Sequence, residues 1–107
     1  MSFEFTLSRI PQNESDLPRF EPEIPKDFAQ WNEARRREFL AGRQCARRVL
    51  RSAGYRGSSP LRTAKDGIPQ WPPGYVGSIS HSNDFAAAVA SRQMCRLGLD
   101  IQTPMSS

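Results

Sequence analysis

Seven arginines stand close together in this chain: Arg35, Arg36, Arg37, Arg43, Arg47, Arg48 and Arg51. They supply much of the formal net charge of +4 carried by 107 residues. Guanidinium groups bind phosphates and carboxylates through charge-assisted, often bidentate hydrogen bonds. The cluster therefore points to a polyanion: nucleic acid, a phosphorylated cofactor or an acidic protein. On charge alone, a solvated helix face accounts for it equally well. Three more segments carry groups that could do chemistry: Trp71-Pro72-Pro73-Gly74, Gly77-Ser78-Ile79-Ser80-His81-Ser82 and Gly98-Leu99-Asp100-Ile101-Gln102. Taken singly, each is a weak signal. A lone histidine near a strand end is more often an ordinary surface or core residue, and a lone strand aspartate usually faces solvent.

The elements that must position these groups are readable from pattern. Phe3, Phe5 and Leu7 alternate as one face of a strand. Residues 11–26 hold Pro11, Pro18, Pro22 and Pro25 and several acids, and read as an extended, partly mobile loop. A helix is predicted from about Asp27, which can cap it with Gln30 three residues on, to Ala53, with Gly54 as the stop. At 100° per residue, Phe28, Trp31, Phe39, Gly42, Ala46, Val49, Leu50 and Ala53 form an apolar stripe. Arg36, Arg43 and Arg47 flank it. Arg35 falls inside it, so that guanidinium must either reach past the core edge into water or meet an anion. Residues 55–74 read as a loop with a short hairpin at Asp66-Gly67. Strands are predicted at Tyr75–His81, Phe85–Ala90 and Cys95–Gln102, with Leu97, Leu99 and Ile101 toward the helix and Gly98, Asp100 and Gln102 away from it. The fold class is α+β: one long helix packed on a small antiparallel sheet. Cys45 and Cys95 lack C-x-x-C partners, which disfavours thiolate-bound metal. The absence of a signal-like start fits a reducing cytoplasm, and no apolar run is long enough to span a membrane.

Order and spacing raise the value of the four segments together. The run W-P-x-G-x-x-G-S-x-S-H-S, an alanine-rich strand and then G-x-D-[IV]-[EQ] closely resembles the central block of 4′-phosphopantetheinyl transferases of the enterobactin-synthetase and surfactin type. The helix segment from Arg35 to Ala46 is similar to that family's R-x-x-E-F-x-x-x-R-x-x-A pattern. The resemblance spans roughly residues 30–102. It implies one lobe of a pseudo-two-fold fold, with residues 1–26 as an N-terminal strand and Pro-rich extension, 27–102 as the N-terminal lobe and 103–107 as a disordered tail. It also implies a Mg²⁺-dependent transfer of the 4′-phosphopantetheine arm of coenzyme A to a serine of an acyl or peptidyl carrier protein, with 3′,5′-ADP as leaving group. Carried over by position, Ser80 and His81 correspond to the pair at the adenosine 3′-phosphate. Arg35 and Arg43 correspond to further phosphate or adenine-side contacts, and Lys65 to a basic cofactor contact. Asp100 corresponds to a Mg²⁺ ligand.

The sequence departs from the family pattern in two places. Gln102 stands where a glutamate is usual; its amide oxygen can coordinate Mg²⁺ but brings no charge, so the ion is held more weakly or Gln102 takes no part. Nothing in Thr103–Ser107 matches the W-x-x-K-E segment of the family's second half. The resemblance thus implies the coenzyme A-binding half of a cleft, inactive alone, completed by a missing C-terminal half or by self-association. Two other readings compete. A nucleic-acid-binding module would use the arginine helix, but it leaves the Ser-His and Gly-x-Asp blocks unexplained. A non-catalytic interaction protein retaining the family fold accommodates Gln102.

Overall fold

The structure is a computed structural model that describes residues 3–57, 61, 69–82 and 84–92. Strand β1 (Glu4–Arg9) leads through three short 3₁₀ turns at Glu14–Asp16, Glu21–Glu23 and Phe28–Gln30 to helix α1 (Glu33–Ser52). Strands β2 (Tyr75–His81) and β3 (Phe85–Arg92) follow as a hairpin. The sheet order is β1-β3-β2, with β3 antiparallel to both neighbours. This is the α+β arrangement expected, one helix on a small antiparallel sheet. The predicted strand Cys95–Gln102 and the Asp66-Gly67 hairpin lie outside the described residues.

The helix begins later than its pattern suggested. Asp27 makes no side-chain capping bond, and Phe28–Gln30 closes one 3₁₀ turn before Trp31 turns extended (φ −77°, ψ 154°). Asn32 is the cap: its side chain accepts from the Arg35 amide at 2.8 Å. The break exists because Phe28, Trp31 and Phe39 pack as an aromatic triangle with centroids 5.4–5.8 Å apart. A continuous helix would carry Phe28 away from that cluster. The other end is as read. Gly54 has φ 106° and donates to Arg51, while Tyr55 donates to Leu50, a pair of bonds that satisfies the last carbonyls.

Residues 11–30 do more than extend. Leu17, Phe28 and Glu23 are buried, and the acids of this segment take up arginines of α1. Glu14 pairs with Arg36 at 2.8 Å and Glu23 with Arg47 at 2.9 Å. α1 is consequently buried over a wider arc than the predicted stripe, with Leu40, Ala41, Cys45, Ala46, Val49 and Leu50 all in the core. Below it, Ala86, Ala88 and Ala90 of the central strand face the helix. Their small size lets α1 come close. A Cβ on Gly42 would sit 2.9 Å from the Ile79 side chain of β2.

Strand alternation sends the remaining side chains to the far face of the sheet. Phe5 pairs with Val89 and Leu7 with Ala87, and Phe3, Phe5, Leu7 and Phe85 are exposed there. Phe3, Phe5 and Leu7 do share one face, and it is the face turned away from the helix.

Candidate functional site

The seam between α1 and β2 opens into a cavity of about 290 Å³. Glu38, Phe39, Gly42 and Arg43 line it from the helix, Trp71 from the loop before β2, and Gly77, Ser78, Ile79 and His81 from β2. Gly77 makes room for the tryptophan: a Cβ there would lie 2.7 Å from the Trp71 ring and 2.7 Å from the Val89 carbonyl oxygen. The W-P-x-G-x-x-G spacing thus has a local physical reason. It seats an aromatic ring closely against a strand.

Two of the five cofactor-contact residues read from the sequence meet in this cavity. His81 stands at the end of β2, paired with Ala86 across the hairpin, its side chain 45% exposed. Its Nδ1 lies 3.4 Å from Glu38 Oε1. Arg43 is buried on the helix wall. Its guanidinium packs over the Phe39 ring at 4.9 Å and donates to the Leu61 carbonyl at 2.5 Å. Burial pulls its pKa below the ordinary guanidinium value, Glu23 pulls it back up, and Arg47 adds to the lowering. A guanidinium starts so high that it keeps its charge regardless.

The other predicted contacts are placed differently. Arg35 is exposed in the first turn of α1, with its guanidinium 4.1 Å from the centroid of the Trp31 ring. It has left the apolar stripe by reaching outward, and it is not part of the cavity lining. Ser80 is exposed on the far face of β2, because adjacent strand residues point to opposite sides. Lys65, Asp100 and Gln102 lie outside the described residues. Among the described residues, no group of three or more His, Cys, Asp or Glu could hold a metal ion.

Two residues that matter here were given no role from the sequence, although Glu38 is the glutamate of the R-x-x-E-F pattern. Glu38 meets His81 across the helix–strand seam, and no local spacing reveals a partner 43 positions away. Glu23 is buried and accepts both from Arg47 and from the Leu61 amide at 3.0 Å. With Arg43 on the Leu61 carbonyl, side chains hold both backbone groups of that residue. Cys45 is fully buried, with its sulfur 3.6 Å from the Ala86 carbonyl oxygen. Burial raises its thiol pKa, against a smaller lowering from Arg48.

A helix laid on a small antiparallel sheet, with Glu38, Arg43 and His81 around a cavity in the seam, defines a small α+β lobe. A family model described as the 4′-phosphopantetheinyl transferase N-terminal domain matches residues 24–91, well over half of the chain. The chain belongs to that family. It is 44% identical over 72 residues to enterobactin synthase component D of Salmonella typhi, an alignment covering 67% of this chain and 29% of that protein. It is 40% identical over 74 residues to the 4′-phosphopantetheinyl transferase Npt of Nocardia iowensis, covering 65% and 32%. Against the 4′-phosphopantetheinyl transferase PptT of Mycobacterium tuberculosis it is 35% identical over 83 residues, covering 78% and 34%. The chain thus matches about a third of the length of these relatives. Among the described residues, no helix is long and apolar enough to cross a membrane.

Proposed function

We propose that this chain supplies the coenzyme A-binding side of a 4′-phosphopantetheinyl transferase. The observation that carries the reading is the convergence of His81 and Arg43, from separate elements, on one cavity beside Trp71. A guanidinium on the helix side and an imidazole on the strand side of one cavity suit a phosphate monoester such as the coenzyme A 3′-phosphate. In the transfer, a carrier-protein serine oxygen forms a bond to the phosphorus bearing the pantetheine arm. The bond from that phosphorus to the bridging diphosphate oxygen breaks, 3′,5′-ADP departs, and the serine proton passes to a base. Asp100 carries the metal part of the proposal, since its carboxylate is a hard oxygen donor of the kind Mg²⁺ takes, with the Gln102 amide oxygen as a weaker second. Mg²⁺ would supply charge neutralisation of the diphosphate. Lys65, Ser80 and Arg35 are assigned to the cofactor by position alone. The carrier protein, the siderophore-type pathway suggested by the names of relatives, and a cytoplasmic setting belong to this proposal.

Titration of coenzyme A into the full chain by calorimetry tests it. His81→Ala should lose on the order of 1.5–3 kcal/mol, the worth of a charge-assisted hydrogen bond. Arg51→Ala, whose side chain is exposed and away from the cavity, should bind as wild type. Equal losses would indicate diffuse electrostatics and favour a nucleic-acid partner instead.

One observation favours a second reading, a non-catalytic interaction protein. Phe3 and Phe5 are 67% and 66% exposed on the far sheet face, beside Leu7 and Phe85. Contiguous exposed apolar surface marks an interface. A second lobe or a second copy of the chain would cover it. Sedimentation of wild type and Phe5→Lys at several concentrations, beside a coenzyme A titration, separates the readings: an interaction protein associates through this face and ignores the cofactor.

A further inference from the structure

We propose that Glu38 is a positioning residue for His81, holding the imidazole so that Nδ1 faces the helix and Nε2 is left for an anion in the cavity. This rests on the reading that His81 meets a phosphate. The argument begins with freedom. The His81 side chain sits at the end of an edge strand of the described sheet and is 45% exposed. Left alone, such a ring exchanges among rotamers and can offer either nitrogen. Glu38 stands on the 20-residue helix α1, is only 22% exposed, and brings one carboxylate oxygen to 3.4 Å from Nδ1.

A carboxylate in that position can only accept, so it favours the ring form that turns an Nδ1–H toward it over one that turns a lone pair. A bound phosphate monoester dianion also accepts. The ring that serves both is the imidazolium, with Nδ1–H toward Glu38 and Nε2–H toward the phosphate. The second nitrogen is thereby set by what the first one meets. Without such a role, Glu38 is out of place: a carboxylate on the wall of an anion-binding cavity repels its ligand. The imidazolium between them removes that repulsion, and Arg43 on the same wall compensates further. Among the described residues, the charged groups that share the cavity with His81 are Glu38 and Arg43, both from α1. β3 sets the uncharged Ala86 opposite it.

His81 is the only histidine in the chain, so histidine-selective ¹⁵N labelling gives two ring-nitrogen signals that need no assignment by mutation. In the neutral ring the wild type should show the Nδ1–H tautomer. Glu38→Ala should revert to the Nε2–H form that free imidazole prefers. Glu38→Gln keeps an acceptor oxygen and should preserve the wild-type tautomer, and it guards against a misfolded alanine variant. Affinity for 3′,5′-ADP should fall about 3- to 10-fold in Glu38→Ala, the loss expected when one hydrogen-bonding nitrogen is no longer held in place. Identical ring-nitrogen patterns in wild type and Glu38→Ala would overturn the proposal, as would an altered pattern with unchanged nucleotide affinity. A His81→Ala chain that binds 3′,5′-ADP as wild type would refute the phosphate reading itself, whatever the nitrogen signals show.

Discussion

Gly77→Ala is the sharpest test of how the cavity is built. Gly77 lies within β2 and its φ is not positive, so alanine can adopt the backbone. What it cannot do is fit. The added Cβ would stand 2.7 Å from Trp71 Cζ2, 2.8 Å from Trp71 Cη2 and 2.7 Å from the Val89 carbonyl oxygen. The tryptophan could swing away, but the carbonyl belongs to the central strand and is fixed by pairing on both sides. Overpacking of this kind costs about 1–3 kcal/mol, and the immovable backbone contact argues for the upper half of that range. Reduced unfolded-state entropy returns about 0.4–1 kcal/mol. The net expectation is a loss of about 1–2 kcal/mol, a fall in Tm of roughly 5–15 °C for a chain of this size. Chemical denaturation in a Trp31→Phe background measures the loss and reports on Trp71 alone, because those are the two tryptophans. Trp71 emission should shift to the red as the ring leaves the strand, and coenzyme A affinity should drop with it. An alanine variant as stable as wild type, with unchanged emission, would show that Trp71 does not lie on β2 and that the cavity wall is described wrongly.

Two further outcomes follow from buried groups. Glu23→Ala strips the Leu61 amide and Arg47 of their shared acceptor and should cost about 2–3 kcal/mol in urea denaturation, discounted because Arg47 remains partly in water; a loss under about 0.5 kcal/mol would mean that Leu61 is not clamped. Cys45 should resist alkylation until the chain unfolds. Its raised folded pKa means that the unfolded chain alone releases the thiol proton as pH climbs past about 8.5. Its share of stability is therefore intact below that pH and declines above it, at up to about 1.4 kcal/mol per pH unit. Cys45→Ala should flatten the alkaline limb of a stability–pH profile; an unchanged limb would place the thiol in solvent.

Much of this was legible because it is local. The alternation in β1, β2 and β3 and the Gly54 stop need only neighbouring residues to be read. The helix start was not, because two local signals competed. Asp27 with Gln30 mimics a capping box, and only the packing of Phe28 on Trp31 and Phe39 selects Asn32 instead. The family resemblance set Ser80 and His81 together as a pair at the 3′-phosphate. The strand that holds them guarantees that their side chains part, so a shared phosphate contact at Ser80 has to come from its backbone or from another direction. Glu23 stayed invisible because its partners are distant in sequence, and Glu38, though it is the glutamate of the R-x-x-E-F pattern, gave no sign of its partner for the same reason.

The arginines show how far a compositional signal can mislead and where it remains true. In sequence they form one basic block, and a block suggests a surface that meets a polyanion along its length. Folding divides the block. Arg36 and Arg47 are spent on Glu14 and Glu23, and Arg37 donates to the Pro11 carbonyl. Arg35 lies over Trp31. Arg43 turns inward to the cavity and to Leu61. Arg48 and Arg51 remain on the exposed side. A nucleic-acid-binding helix needs its cations aligned and free to release counterions together, and this helix uses several of them to bind its own N-terminal segment. What survives of the polyanion signal is narrower: one buried guanidinium and one imidazole lining the same cavity, which is where the proposed phosphate contact would fall.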